Sequence, residues 1–155
     1  MVTRQASHSS DPPPTDRAPD AAGQRARCKF SARFRLRRRG DFDRTMSAGV
    51  RVSDQRLTLW ALPNRLEVTR FGMIVGRKHG AAVRRNRLKR ILREAFRLTR
   101  ARLPVGLDFV CAPRVAADVG LQAARESLVR LAELASRRLA RPQREAEEPG
   151  RAGSA

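Results

Sequence analysis

The chain has 155 residues, with 34 Lys and Arg against 15 Asp and Glu and a formal net charge of +19. That length suits one domain, and that charge favours a polyanion. Two cysteines without CxxC spacing, Cys28 and Cys111, exclude a zinc site and a disulfide framework; no apolar run reaches about 18 residues, so no membrane span is expected.

Residues 1–26 carry Pro12-Pro13-Pro14, Pro19, Ser and Asp, and predict a disordered N-terminal extension. They lack the apolar core of a signal peptide, so the chain is expected in the cytoplasm with both thiols reduced. Three arginines cancel three aspartates there, and three arginines cancel three glutamates in 140–155, predicted as a disordered tail. The whole net charge therefore belongs to a folded body, residues 27–139, with 28 basic and 9 acidic residues. A basic body, rather than a basic tail, favours nucleic acid.

Within that body, Asp41 to Ala48 spaces Phe42, Thr45 and Met46 as a helix does, and Gly49 suits its end. Val50 to Ser53 is a candidate short strand. Arg56 to Leu62 alternates, with Leu57, Leu59 and Ala61 on one side and Thr58 and Trp60 on the other. Val68 to Val75 alternates again, and the two runs predict a hairpin across Pro63-Asn64. A helix follows over about 81–101. Leu107 to Ala112 reads as a buried strand. Asp118 is the predicted cap of a last helix with Leu121, Ala124, Leu128, Leu131, Ala135 and Leu139 in register. A helix between strands predicts an α+β fold, a two-layer sandwich with helices on one sheet face.

The helix near residue 90 is the strongest functional signal. From Gly76 to Arg102 there are eleven Arg or Lys and one acid, Glu94. Leu88, Ile91, Leu92, Ala95, Phe96 and Thr99 make a buried stripe, with Arg85, Lys89, Arg93, Arg97 and Arg100 assigned to the opposite side. Like charges one turn apart repel, so a bound polyanion is expected to relieve them. A merely solvated cationic face would carry interspersed acids. Gly76-Arg77-Lys78-His79-Gly80 leads into the helix and offers backbone N–H groups to an anion, or is a simple turn with Gly80 at positive φ. Thirty-one of the 34 cations are arginine. Its planar fork suits phosphate; a GC-rich coding bias would also favour arginine but not this clustering.

A second cluster, Arg33, Arg35, Arg37, Arg38 and Arg39, is interleaved with Phe30, Phe34 and Phe42, as stacking on single-stranded nucleic acid requires. These rings are expected to divide between core and groove. Trp60, out of phase with its strand's apolar side, faces a second core layer or an open platform. Nine scattered acids do not suggest a two-metal nuclease, and Asp41 and Asp43 do not share a helix face. His79 has no nearby catalytic partner in sequence.

The run Arg85-Asn86-Arg87-Leu88-Lys89-Arg90-Ile91-Leu92-Arg93-Glu94-Ala95-Phe96, preceded by Val75-Gly76-Arg77-Lys78-His79-Gly80-Ala81-Ala82-Val83, resembles the signature of the bacterial ribonuclease P protein component. Phe34-Arg35-Leu36, Asp41-Phe42, Gly49 and Asp108-Phe109-Val110 agree in order, so the resemblance spans about 30–139. It implies the order αβββαβα with a left-handed βαβ crossover, as in the second domain of a small-subunit ribosomal protein. It implies a protein that binds a catalytic RNA subunit and the 5′ leader of precursor tRNA, as a monomer in a one-to-one ribonucleoprotein. Mg²⁺ and leader cleavage belong to the RNA subunit, and no catalytic residue to the chain. Arg77, Lys78, Arg84, Arg85, Asn86, Arg87, Lys89, Arg90, Arg93 and Arg97 would meet RNA. Phe42, Met46, Trp60 and Arg35 would line the leader cleft, where the family carries a ring at the Met46 position. The alternatives are a structural rRNA-binding protein, an RNA-free nuclease and a duplex-DNA binder.

Overall fold

The structure, a computed structural model, describes residues 30–147 and side chains as far as 141. The expected extension over 1–26 lies outside the described residues. Helix α1 (Arg39–Ala48) precedes three strands, β1 (Val50–Ser53), β2 (Leu57–Pro63) and β3 (Arg70–Met73). Helix α2 (Ala82–Thr99), strand β4 (Leu107–Pro113) and helix α3 (Leu121–Glu147) complete the order αβββαβα. No helix among the described residues is long and apolar enough to cross a membrane.

The sheet runs β1-β2-β4-β3. Strand β2 pairs antiparallel with β1 and with β4, from Leu57↔Pro113 to Pro63↔Leu107. Strand β3 pairs parallel with β4, from Arg70↔Asp108 to Met73↔Cys111. The predicted β2–β3 hairpin is therefore wrong, because β4 lies between its two strands. The reason is visible in burial. Six of the seven β4 residues are buried, as a central strand covered on both faces requires. The connection over residues 64–69 exceeds a tight two-residue turn, so nothing local forces the hairpin.

One sheet face carries Leu57, Leu59, Ala61, Phe71, Phe109 and Cys111 against Leu88, Leu92 and Phe96 of α2 and Leu128, Leu131 and Ala135 of α3. The Phe71 and Phe96 rings stack 4.6 Å apart, and Phe30 meets both edge-on. Each such side chain contributes about 1.5–3 kcal/mol through burial. Cys111 is fully buried, and burial, with the Asp54 charge, pushes its thiol up to about 12.

On the other face α1 covers one end of the sheet. Gly49 ends α1 at φ −81°, not in the left-handed region. What it supplies is space: a Cβ there would stand 2.2 Å from the Thr45 carbonyl oxygen and 2.8 Å from that of Ala61. Asp118 is not the cap of α3, which begins beyond Gly120, whose carbonyl accepts the Ala124 N–H at 2.9 Å. The same helix continues through Pro142 to Glu147, eight residues into the segment expected as a tail. Residues 148–155 lie outside the described residues.

Asp54 organises the β1–β2 turn. Burial alone would raise its carboxyl. The Leu57 and Arg56 N–H groups, each 2.8 Å from Oδ1, and Arg130 at 2.6 Å outweigh that and hold it at about 2 against the ordinary 3.8. A carboxyl lowered on folding stabilises fully above pH about 4 and loses that contribution as pH falls through about 2. We expect about 2 kcal/mol of acid-dependent stability from this group. Urea midpoints measured from neutrality to pH 2 should fall less steeply for Asp54→Asn than for the parent; identical slopes would remove Asp54 from the acid response.

Candidate nucleic-acid interface

Helix α2 stands about 27 Å long at 1.5 Å per residue. Its apolar stripe is buried as expected except for the half-buried Ile91, and Arg84, Asn86, Arg87, Arg90 and Arg93 are exposed. Arg85, Lys89, Arg97 and Arg100, all assigned to the opposite side, are half-buried, Arg85 and Lys89 because 100° per residue swings them back toward the sheet. Arg97 is tied to Glu94, whose carboxyl it holds below its usual value by hydrogen bonding. Among the described residues Arg84, Arg87, Arg90 and Arg93 engage no carboxylate, so their charge remains available to a ligand.

A 3-10 turn, Arg77–His79, leads into α2, and Gly80 adopts φ +100° as its sequence context predicts. His79 is buried, with its ring nitrogens 3.1 Å from the Gly76 carbonyl oxygen and 2.8 Å from that of Pro113. It fastens the turn to the end of β4, a structural role that leaves Arg77 and Lys78 exposed beside it.

Gly72, Val110 and Trp60 lie side by side on the sheet face opposite α2. A Cβ on Gly72 would stand 2.5 Å from the Phe42 ring, so glycine here lets α1 sit down on the sheet. Val110 is fully buried, Phe42 and Trp60 are half-buried, and Met46 is exposed at 39%. Beyond this row α1 no longer covers the sheet. Trp60 thus marks the edge of an open platform, and the Arg51 guanidinium lies 5.7 Å from its ring centre. Arg35 is not part of this group. It bridges to Phe71 at the sheet's edge and stacks 5.1 Å over Phe30, on the face of α2. Phe30 belongs to the core rim, and Phe34 is flanked by Arg33 and Arg100 at 4.7 and 4.0 Å. Phe30 and Phe34 pack against the core, and Phe42 alone of the three lies between α1 and the sheet at Gly72.

What seats α1 was not foreseen. Asp108 is fully buried in β4 and accepts two hydrogen bonds from Arg70, at 2.8 and 2.5 Å, and one from Asn64 at 2.8 Å. Arg70 also reaches Asp41 of α1 at 3.2 Å. Hydrogen bonding to Asp108 raises the Arg70 guanidinium further above its already high ordinary value. The signal existed in sequence: an acid within the apolar run LDFVCA must find a buried cation.

Three neighbouring cavities share lining residues. One, of ≈ 160 Å³, lies between Arg84, Arg87 and Ile91 of α2 and residues 117–119. It shares Ala117 with a cavity of ≈ 500 Å³ over the platform, lined by Trp60, Arg51, Lys78 and Arg114. That in turn shares Gln55 and Arg114 with a third, of ≈ 720 Å³, beside Arg56 and Arg130. The α2 face and the open sheet face form one cationic belt.

The Ribonuclease P family model matches residues 30–136. A ribonuclease P protein component of Pelotomaculum thermopropionicum is 40% identical over 97 residues, 62% of this chain and 87% of that protein. One from Dehalococcoides mccartyi is 42% identical over 96 residues, 62% of this chain and 78% of that protein. The solved ribonuclease P protein of Thermotoga maritima superposes with a TM-score of 0.60 at 34% identity, covering 64% of this chain and 96% of that one. That of Staphylococcus aureus gives 0.59 at 27% identity, over 66% and 94%.

Proposed function

The chain belongs to the ribonuclease P protein component family, and from that premise we propose that α2 docks the catalytic RNA while the open sheet face holds the 5′ leader of precursor tRNA. The continuity of the belt from Arg87 to Trp60 supports this reading most, because it puts a phosphate-binding helix beside a ring platform. Arg84, Arg87, Arg90 and Arg93 neutralise RNA phosphates, and Asn86 reaches a sugar or base edge. Arg77, Lys78, Arg85 and Lys89 flank that contact. Trp60 offers a ring to a leader base, Arg51 steadies it, and Phe42 and Met46 form the wall beneath and beside α1.

Bond cleavage is assigned to the RNA subunit and its Mg²⁺. Among the described residues no three His, Cys, Asp or Glu side chains gather into a metal-binding group, so these donors do not fit a resident ion. The chain's contribution is orientation and charge neutralisation. A structural rRNA-binding role is not favoured, since the relatives above are ribonuclease P proteins; such a protein would also show no dependence on a leader.

Trp60→Ala tests the cleft. Loss of one base stack costs about 1–3 kcal/mol. We expect the reconstituted ribonucleoprotein to bind precursor tRNA roughly tenfold more weakly and mature tRNA as before. Equal losses for both RNAs would take Trp60 out of the cleft.

A further inference from the structure

The third cavity of the belt has no part in the reading above. It lies past the open end of the platform, around the β1–β2 turn, and is lined by Ser53, Asp54, Gln55, Arg56, Arg114 and Arg130. Three of these six residues are arginines, one each from the turn, the segment after β4 and α3. Their placement is built, not incidental. Asp54 is locked by two backbone N–H groups and pairs with Arg130 at 2.6 Å, with the Arg130 side chain 65% exposed. The Arg114 N–H donates to the Arg56 carbonyl at 2.8 Å, which fixes the backbones of two of the arginines side by side. Asp54 offsets one charge, and a surplus of two cations faces the cavity.

We propose that this arginine pocket binds the leader's 5′-distal phosphates after the strand has crossed Trp60, so that longer leaders gain affinity independent of their sequence. The proposal rests on the leader lying across Trp60. The occupant follows from the lining. No aromatic ring is present to stack a base, whereas arginine forks suit phosphate oxygens. Gln55 and Arg114 line both this cavity and the platform, so a strand can pass between them without leaving the surface. From Trp60 to Arg56 is four strand positions, about 13 Å at 3.3 Å each, a span that an extended strand bridges only once the leader is long enough.

The test uses ribonucleoprotein reconstituted from the full chain and its RNA subunit, with precursor tRNAs whose leaders lengthen one nucleotide at a time. Arg56→Gln and Arg130→Gln are compared with the parent, and Trp60→Ala is run in parallel. Glutamine at 130 can still hydrogen-bond Asp54, and Arg56→Gln leaves that pair untouched. Above a threshold length, each Gln variant should bind more weakly and show a log-affinity against log-salt slope shallower by about 0.7. Below the threshold both should match the parent. If Trp60→Ala is leader-dependent but neither Gln variant departs from the parent at any length, the pocket proposal falls and the cleft stands. A slope change already present without a leader would assign these arginines to the RNA subunit and overturn the proposal too. If Trp60→Ala shows no leader dependence, the underlying cleft reading fails first, and the pocket with it.

Discussion

Replacing Arg87 and Arg90 together by alanine is expected to weaken binding of the ribonuclease P RNA roughly a hundredfold at low salt, at about 1.5 kcal/mol for each charge-assisted contact. Both side chains are exposed on α2, and neither engages a carboxylate among the described residues. Binding therefore breaks no internal ion pair, and little of the gain is lost to desolvating one. Each neutralised phosphate also releases counterions, with a slope of about −0.9 per contact on duplex DNA and −0.7 on single strands. The double variant should thus flatten the salt dependence by between one and two units, and the gap from the parent should close as salt rises. Because both positions point away from the core, the variant should unfold at the parent's temperature. A salt titration showing unchanged affinity and slope would remove α2 as the RNA-docking face.

Arg70→Met is expected to be the most destabilising single change that leaves the apolar core intact. It strips the fully buried Asp108 carboxylate of a two-pronged partner and leaves it only Asn64. Removing one member of such a pair costs about 3–5 kcal/mol, because the remaining charge stays out of water. For a domain of this size that corresponds to a Tm lower by about 10–20 °C. Arg70→Met combined with Asp108→Asn should recover part of the loss, since no uncompensated charge then remains. The same pair carries α1 through Asp41, so leader affinity should fall in Arg70→Met at temperatures where the chain is still folded, with RNA-subunit affinity unchanged. A Tm within a few degrees of the parent would show that Asp108 is satisfied without Arg70.

Much of this molecule can be read along the chain, because helix periodicity and strand alternation are local patterns. The α2 stripe, the β2 alternation of Leu57, Leu59 and Ala61, and the positive φ of Gly80 all appear in the structure where the residues indicate. So does the exposure of Arg93, whereas the exposure of Arg87 and Arg90 was not read from helical phase. Arg85 and Lys89 fail the same reading, because a helix seated between a sheet and a second helix hides its flanks as well as its stripe.

Strand partners are another matter. Nothing in Val68 to Val75 says that its neighbour is β4 and not β2, since pairing is decided by which arrangement buries both faces of the most apolar strand. From that pairing comes the Gly72–Val110–Trp60 row, and with it the separation of Phe42 and Trp60 from Arg35, which the same insertion places across the sheet. The residue types, their charge and their periodicity were sufficient for the elements and for the kind of ligand. Only the closed sheet decided which of those residues stand together, because side chains 44 positions apart, such as Asn64 and Asp108, meet through packing and not through any local preference.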